Sequence, residues 1–191
     1  MSARRSLLAF TLLAPVFLRT ASASEAALDI SLLAERWGGE HVEGRFVERR
    51  RIAGFPKPLV SEGRFSVIRH QGARWITEKP FPSTLVLDAA GMHYESASAS
   101  TEVSSGSVPA VGRLGDFMQG VFAGDLKMLA GVFDLSVSGS DPVTVTALPK
   151  AGGIDSISRI EITGRRSVEK ILIVSASGDV TELELIDVVR H

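Results

Sequence analysis

Cysteine is absent from the 191-residue chain, which excludes disulfide bonds, thiolate metal sites and a lipid-modified N-terminal cysteine. A large positive charge is absent as well, since 21 basic residues face 22 acidic ones and the formal net charge is −1. A general nucleic-acid-binding domain would be strongly basic, so the composition argues against nucleic acid as a partner.

Long hydrophobic runs are missing apart from one at the N-terminus. Arg4 and Arg5 precede an apolar run from Leu7 to Leu18, and Ala21-Ser22-Ala23 follows it. The run is shorter than the roughly 20 residues that a membrane span requires, and the small residues after it are typical of a signal-peptide cleavage site. We therefore expect a signal peptide over residues 1–23, cleavage near Ala23 and export to the periplasm.

The remaining 168 residues suit a single domain, residues 24–191, with 18 basic and 22 acidic side chains. Period-two alternation predicts strands over about nine stretches, among them Val42–Phe46, Gly63–Arg69 and Val180–Val189, with a weak one near Thr101–Val103. Ser24 as a cap and Gly38-Gly39 as a stop predict a first amphipathic helix that ends at Trp37.

A segment rich in large apolar residues interrupts the predicted strands. Leu114, Phe117, Met118, Val121 and Phe122 follow helical spacing, and after Gly124 so do Leu126, Leu129, Ala130 and Phe133. The predicted fold class is mainly β (α+β): one curved antiparallel sheet that forms an incomplete β-barrel, with about three helices covering its concave side. The two glycine-separated helices either plug an ordinary core or cover an apolar pocket.

Catalytic signatures are missing from the sequence. It contains no nucleophile elbow, zinc-protease motif, P-loop or dinucleotide fingerprint. His41, His70, His93 and His191 lie on separate elements without ligand spacing. We therefore predict no catalytic residue, no metal, no cofactor and no enzymatic activity.

One stretch carries a resemblance to a known family. The order Gly63-Arg64-Phe65-Ser66-Val67-Ile68-Arg69, then Trp75 and Pro80, then Leu85-Val86-Leu87-Asp88, a glycine turn and Tyr94 resembles the outer-membrane lipoprotein carrier (LolA) family. His70 stands where that family has a proline. The stretches "GRFVERRRIAGFPKPLVSEGRF" and "WITEKPFPSTLV" look closest to a divergent branch associated with gene clusters for aryl polyene or related lipid-like pigments.

The resemblance implies an incomplete barrel whose helices form a lid over an apolar cavity for acyl chains. It implies that Arg69 latches the lid by hydrogen bonding while the cavity is empty. The alternative is that Arg69 lies at a strand end with its guanidinium group in water. The predicted cavity residues are Phe46, Phe65, Val67, Trp75, Leu85 and Leu87 on the sheet, with Phe117, Met118, Val121, Phe122 and Leu129 on the lid.

The function this implies is that of a monomeric periplasmic carrier. It would take lipoprotein acyl chains or another lipid-like molecule, such as a polyene lipid or glycolipid, from an inner-membrane donor complex to an outer-membrane acceptor. One alternative is a lipid-sensing or adaptor module on the same scaffold, and another is a hydrolase acting on the apolar substrate.

Residues 45–74 also carry a local positive excess in an acidic protein. Eight basic side chains, Arg45, Arg49, Arg50, Arg51, Lys57, Arg64, Arg69 and Arg74, face only Glu48 and Glu62. The excess predicts either a surface for an anionic headgroup, membrane or partner, or solubilising charge on outward strand positions.

Overall fold

The computed structural model describes residues 30–104, 117, 119–122, 126–151 and 154–191. Two helices have defined bounds, α1 (Ile30–Trp37) and α2 (Leu126–Val132). Residues 117 and 119–122 are also helical, and they are called the lid segment below. No helix among the described residues is long and apolar enough to cross a bilayer.

Eleven strands make up the rest of the described chain. Their bounds are β1 His41–Arg51, β2 Leu59–Ile68, β3 Gly72–Lys79, β4 Ser83–Leu87, β5 Gly91–Ser96, β6 Ser100–Ser104, β7 Phe133–Ser138, β8 Val143–Pro149, β9 Ile157–Gly164, β10 Val168–Ser175 and β11 Val180–Arg190.

All eleven strands form one antiparallel sheet in the order β6-β5-β4-β3-β2-β1-β11-β10-β9-β8-β7. Strands that are consecutive in sequence pair with each other, except β6 and β7, and at the centre of the sheet β1 pairs with β11. The first and last strands of the chain thus join an N-terminal half, β1 to β6, to a C-terminal half, β7 to β11. Within the described chain β6 and β7 are the free edges, so the sheet stays open.

One face of this sheet carries the core. Phe46 on β1, Leu87 on β4 and Val145 on β8 belong to one buried cluster, although their strands are far apart in the sheet order. A flat sheet would keep such distant strands apart, so a shared core requires the sheet to curve around it. Both helices and the lid segment contribute to the same cluster on the concave side, through Leu33, Trp37, Val121, Phe122 and Leu129 among others.

Gly63, from the LolA-like motif, lies where the sheet has no room for a side chain. A Cβ at this position would collide with the carbonyl oxygen of Ile76 on β3 and lie 2.9 Å from the ring of Phe46. The β2–β3 register also shifts between Glu62 and Gly63. Glycine here allows the close backbone approach that brings the aromatic rings of β1, β2 and β3 together.

The predicted fold class is confirmed, with differences in detail. The described part of the chain has eleven strands where about nine were expected, and the weak stretch near Thr101–Val103 is the full strand β6. Phe133, expected to continue a helix, instead begins β7 and pairs with Pro149, because the chain enters the sheet directly after α2. The N-terminal part of the first predicted helix, including Ser24, lies outside the described residues.

Candidate functional site

A cavity of about 240 Å³ lies between the concave face of the sheet and the lid segment. Its wall is almost entirely apolar, and it draws on both halves of the sheet. The lining residues are Glu48, Ala73, Trp75, Leu85, Leu87, Phe117, Phe122, Ile171, Ile173, Thr181 and Leu183.

An aromatic cluster connects the sheet to the lid segment beside this cavity. The ring of Trp75 stacks on Phe46 with centroids 4.2 Å apart and on Phe65 at 5.4 Å. Phe122 packs against the same group, 5.0 Å from Phe65 and 6.3 Å from Trp75. These contacts hold the lid segment by dispersion and ring electrostatics. Such contacts do not select a ligand of one particular shape.

The predicted cavity residues divide into three groups. Trp75, Leu85, Leu87, Phe117 and Phe122 line the cavity. A second group is buried in the core around it and does not line it: Phe46, Phe65, Val67, Val121 and Leu129. Met118 lies outside the described residues.

Sequence reasoning missed the cavity wall that comes from the C-terminal half. Ile171 and Ile173 on β10, and Thr181 and Leu183 on β11, complete the wall opposite β3 and β4. Their alternation was visible in the sequence. The pairing of β11 with β1, which brings them to the site, was not.

Glu48 was also missed, and it is the one ionisable group among the described residues that line the cavity. It lies on the concave face of β1, two residues after buried Phe46, and pairs in register with Leu183 and Ser61. Burial raises the pKa of the Glu48 carboxyl above its usual value of 4.5, while the positive charge of Arg50 opposes that rise. Among the described residues Glu48 has no hydrogen-bond or ion-pair partner.

The lid segment is held to the sheet by one side-chain amide. The Gln119 Nε2 donates to the carbonyl oxygen of Ile68 at 3.1 Å, and the backbone N–H of His70 donates to the Gln119 Oε1 at 3.2 Å. Ile68 is the last residue of β2, and His70, with a φ of +59°, lies in the β2–β3 turn that follows it. Gln119 therefore closes a two-bond bridge between this turn and the lid segment.

Arg69, the predicted latch, lies in the same turn. Its Nε lies 2.9 Å from the Glu40 Oε1, and its backbone N–H donates to the Glu40 carbonyl oxygen at 2.8 Å. These two contacts fasten the turn to the segment between α1 and β1. The direct bridge to the lid segment described above comes from Gln119.

Half of the eight basic side chains of the run pair with acids that neighbouring elements supply. Arg49 pairs with Glu182 and Glu184, Arg50 with Asp179, and Arg64 with Glu78. These are exposed pairs on strands and turns, which contribute little to stability.

Three arginines of the run, Arg45, Arg51 and Arg74, remain without an ion pair within the described chain. Arg45 and Arg74, together with Arg64, line an open groove of about 460 Å³ on the convex face. Glu43 and Asp187 line the same groove, so its charge is mixed. Although larger than the cavity, the groove lies on the opposite face of the sheet from the aromatic cluster.

Metal ligands do not cluster in the described ranges, where no three His, Asp or Glu side chains come together to hold an ion.

Comparisons with known proteins bear on the fold. No family model matches the chain, and no characterised protein matches it by sequence. Among solved structures it is similar to a LolA superfamily protein from Nitrosomonas europaea, at 10% identity and a TM-score of 0.49, over 86% of this chain and 93% of that one.

Two further solved structures belong to the same comparison. An outer membrane lipoprotein-sorting protein domain from Vibrio parahaemolyticus shares 9% identity at a TM-score of 0.43, over 85% of this chain and 91% of that one. The MucA/MucB complex of Pseudomonas aeruginosa gives 16% identity at a TM-score of 0.48, over 84% of this chain and 56% of that one. Similarity at this level concerns the fold alone, so the function has to be argued from the cavity.

Proposed function

We propose that the protein is a periplasmic carrier that holds an acyl chain or another long apolar group in the cavity beneath the lid segment. The observation that carries this proposal is the cavity itself: an apolar space walled by both halves of the sheet and covered by Phe117 and Phe122. Ligand sites of this kind are concave and mostly apolar, with few polar groups.

The small volume of the cavity indicates that the lid segment must move before a long ligand can enter. Ligand sites usually measure about 300–1,000 Å³, and this one measures about 240 Å³. A long chain therefore enters only if the rings of Phe117 and Phe122 move outward with the lid segment. The bridge from Gln119 is exposed and consists of two hydrogen bonds, each worth about 0.5–1.5 kcal/mol net, which an entering apolar chain can offset.

Arg69 has a supporting part in this proposal. By pairing with Glu40 it holds the β2–β3 turn in the conformation that offers the Ile68 carbonyl and the His70 N–H to Gln119. We infer that Arg69 latches the lid segment through the turn.

The carrier would act without bond chemistry. Residues 1–23 would direct export, and the domain of residues 24–191 would then work as a monomer. An inner-membrane donor would load it and an outer-membrane acceptor would unload it, each step following from the relative affinities of the sites for the passenger.

The first test is native mass spectrometry of the protein purified gently from its own periplasm, followed by identification of the extracted ligand. We expect one acylated or otherwise lipid-like molecule per chain. Protein that is empty and also takes up no lipid fluorophore would contradict the proposal, because the lid segment would then be ordinary core.

Two substitutions in the helical cover sharpen this test. Phe122→Asp on the lid segment and Leu129→Asp on α2 each place a charge on a buried position, so we expect loading to fall below about one tenth of the wild-type level while the sheet still folds. Phe81→Asp is the matched control, since Phe81 lies in the β3–β4 turn and is 82% exposed. Loading that survives both changes would show that the helical cover of the cavity is assigned wrongly.

Transfer separates a carrier from a sensor. Loaded protein should pass its ligand to acceptor vesicles that carry no ligand of their own. Stable retention of the ligand, together with tight binding to a protein partner, would favour the lipid-sensing or adaptor alternative.

A further inference from the structure

A carboxylate in an apolar cavity requires an explanation that the proposed function does not supply. Glu48 lies on the concave face among Trp75, Leu183 and Ile173, and it makes no hydrogen bond or ion pair within the described chain. Its nearest basic neighbour on the same face of β1 is Arg50, whose guanidinium lies 3.9 Å from Asp179. A half-buried carboxylate that loses hydration without gaining a partner is costly, so its presence points to a partner that arrives with the ligand.

Glu48 lies at one end of the cavity. Across the sheet Leu87 pairs with Ala73, Ala73 with Val67, and Val67 with Val42 on β1. Val42 lies six residues before Glu48 on the same strand. Six residues of strand correspond to roughly 20 Å. The wall between the two ends is apolar, and the other polar lining residue, Thr181, pairs with Arg50 beside Glu48. The cavity is thus polar at one end and apolar along the rest.

We propose that Glu48 binds the head of an amphiphile that carries a hydrogen-bond donor or a positive charge, such as a hydroxyl, amide or ammonium group, while the tail runs toward Leu87 and Phe117. This inference rests on the proposed carrier function and names the chemical class of its passenger. Thr181 adds a hydroxyl that can donate or accept at the same end.

The same arrangement disfavours a passenger that ends in a carboxylate. Its charge would lie beside the Glu48 carboxylate in a mostly apolar cavity, where like charges repel more strongly than they do in water. Chains with identical tails should therefore be distinguished by their heads.

The test compares three probes with one dodecyl or dodecanoyl tail: dodecylammonium, monododecanoyl glycerol and dodecanoate. Each is titrated below its micelle-forming concentration at pH 8 by isothermal titration calorimetry. For the wild-type protein we expect the ammonium and glycerol probes to bind at least about tenfold more tightly than dodecanoate.

Substitutions at Glu48 make the prediction specific. Glu48→Gln should bring the three affinities to within about threefold, because the amide offers both a donor and an acceptor. Glu48→Lys should reverse the order in favour of dodecanoate. Glu62→Gln is the matched control: Glu62 is in register with Val47 on the convex face, so its loss should leave the preference unchanged. Melting curves verify that each variant folds.

The outcomes separate the two proposals. Equal binding of all three probes to the wild type, or a preference that persists in Glu48→Gln, overturns the role of Glu48 and leaves the carrier function standing. Failure of the wild type to bind any probe contradicts the carrier function and with it the inference.

Discussion

At the scale of single residues, Glu48 and the aromatic rings of the cavity have opposite effects on the folding stability of the ligand-free protein. Trp75, stacked between the rings of Phe46 and Phe65, gains from the removal of apolar surface from water. Glu48 loses hydration and gains no hydrogen bond in exchange. Glu48 should therefore reduce the stability of the ligand-free protein, which is the cost that its proposed role in binding predicts.

The pH dependence of stability tests this reasoning about Glu48. Because burial raises its pKa, the folded protein holds the Glu48 proton more tightly than the unfolded chain, and stability is lost as pH rises through the raised value. Glu48→Gln should therefore raise the Tm of ligand-free protein at pH 7.5 by about 1–3 °C. The gain should disappear below pH 4.5, where the carboxyl is protonated even in the unfolded chain.

Thermal melting of both proteins at pH 7.5 and pH 4 measures this difference, with Glu62→Gln as the convex-face control. A Glu48→Gln variant that is less stable than the wild type at pH 7.5 would mean that the carboxylate has a stabilising partner in the folded protein.

At the scale of elements, α2 and the lid segment are anchored unequally. The backbone N–H of Lys150 donates to the Val132 carbonyl oxygen at 3.0 Å, and its Nζ donates to that of Ala130 at 2.6 Å, so the end of α2 is capped from the end of β8. The lid segment has the Gln119 bridge and its aromatic contacts. We therefore expect the lid segment to open while α2 stays in place.

Hydrogen exchange of the Gln119→Ala variant tests this difference. Removing both bridging bonds should speed amide exchange over residues 117–122 by about tenfold and leave α2 unchanged, since two exposed hydrogen bonds account for that factor. Gln71→Ala, which changes a glutamine in the same β2–β3 turn, is the control. Faster exchange of α2 together with the lid segment would show that the two open as one unit.

At the scale of the whole molecule, the pairing of β1 with β11 joins the N-terminal and C-terminal halves of the sheet. We expect the two halves to unfold as one cooperative unit. Trp75 on β3 reports on the N-terminal half. Trp37, at the end of α1, donates its indole N–H to the Arg165 carbonyl oxygen in the β9–β10 turn at 3.3 Å and so reports on the C-terminal half. Because Trp37 belongs to the buried cluster and Trp75 packs against the same cluster, we expect the two halves to lose their packing together.

Two single-tryptophan variants test this cooperativity. The chain has two tryptophans, so Trp37→Phe and Trp75→Phe leave one reporter in each half. In urea we expect each variant's tryptophan fluorescence and far-ultraviolet circular dichroism to give one coincident transition. A fluorescence midpoint that departs from the circular dichroism midpoint by more than about 0.5 M would mean that the halves unfold separately.

Local pattern determined much of the architecture. Period-two alternation located the strands, because a sheet with one buried face requires it, and the Gly63-to-Tyr94 stretch pointed to the fold. The apolar spacing of Phe117, Phe122 and Leu129 identified the residues that cover the sheet. These features depend on residues near one another in the chain, and such spacing can be read without coordinates.

Tertiary structure alone decided which of these residues meet. The pairing of β1 with β11 spans almost the whole domain and brings Thr181, Leu183 and Glu48 to one end of a cavity that the sequence placed on the N-terminal half. Gln119 became the bridge because the β2–β3 turn presents two backbone groups to it. Contacts between distant residues depend on how strands are ordered and curved, which is a property of the assembled sheet and is not encoded in any local window.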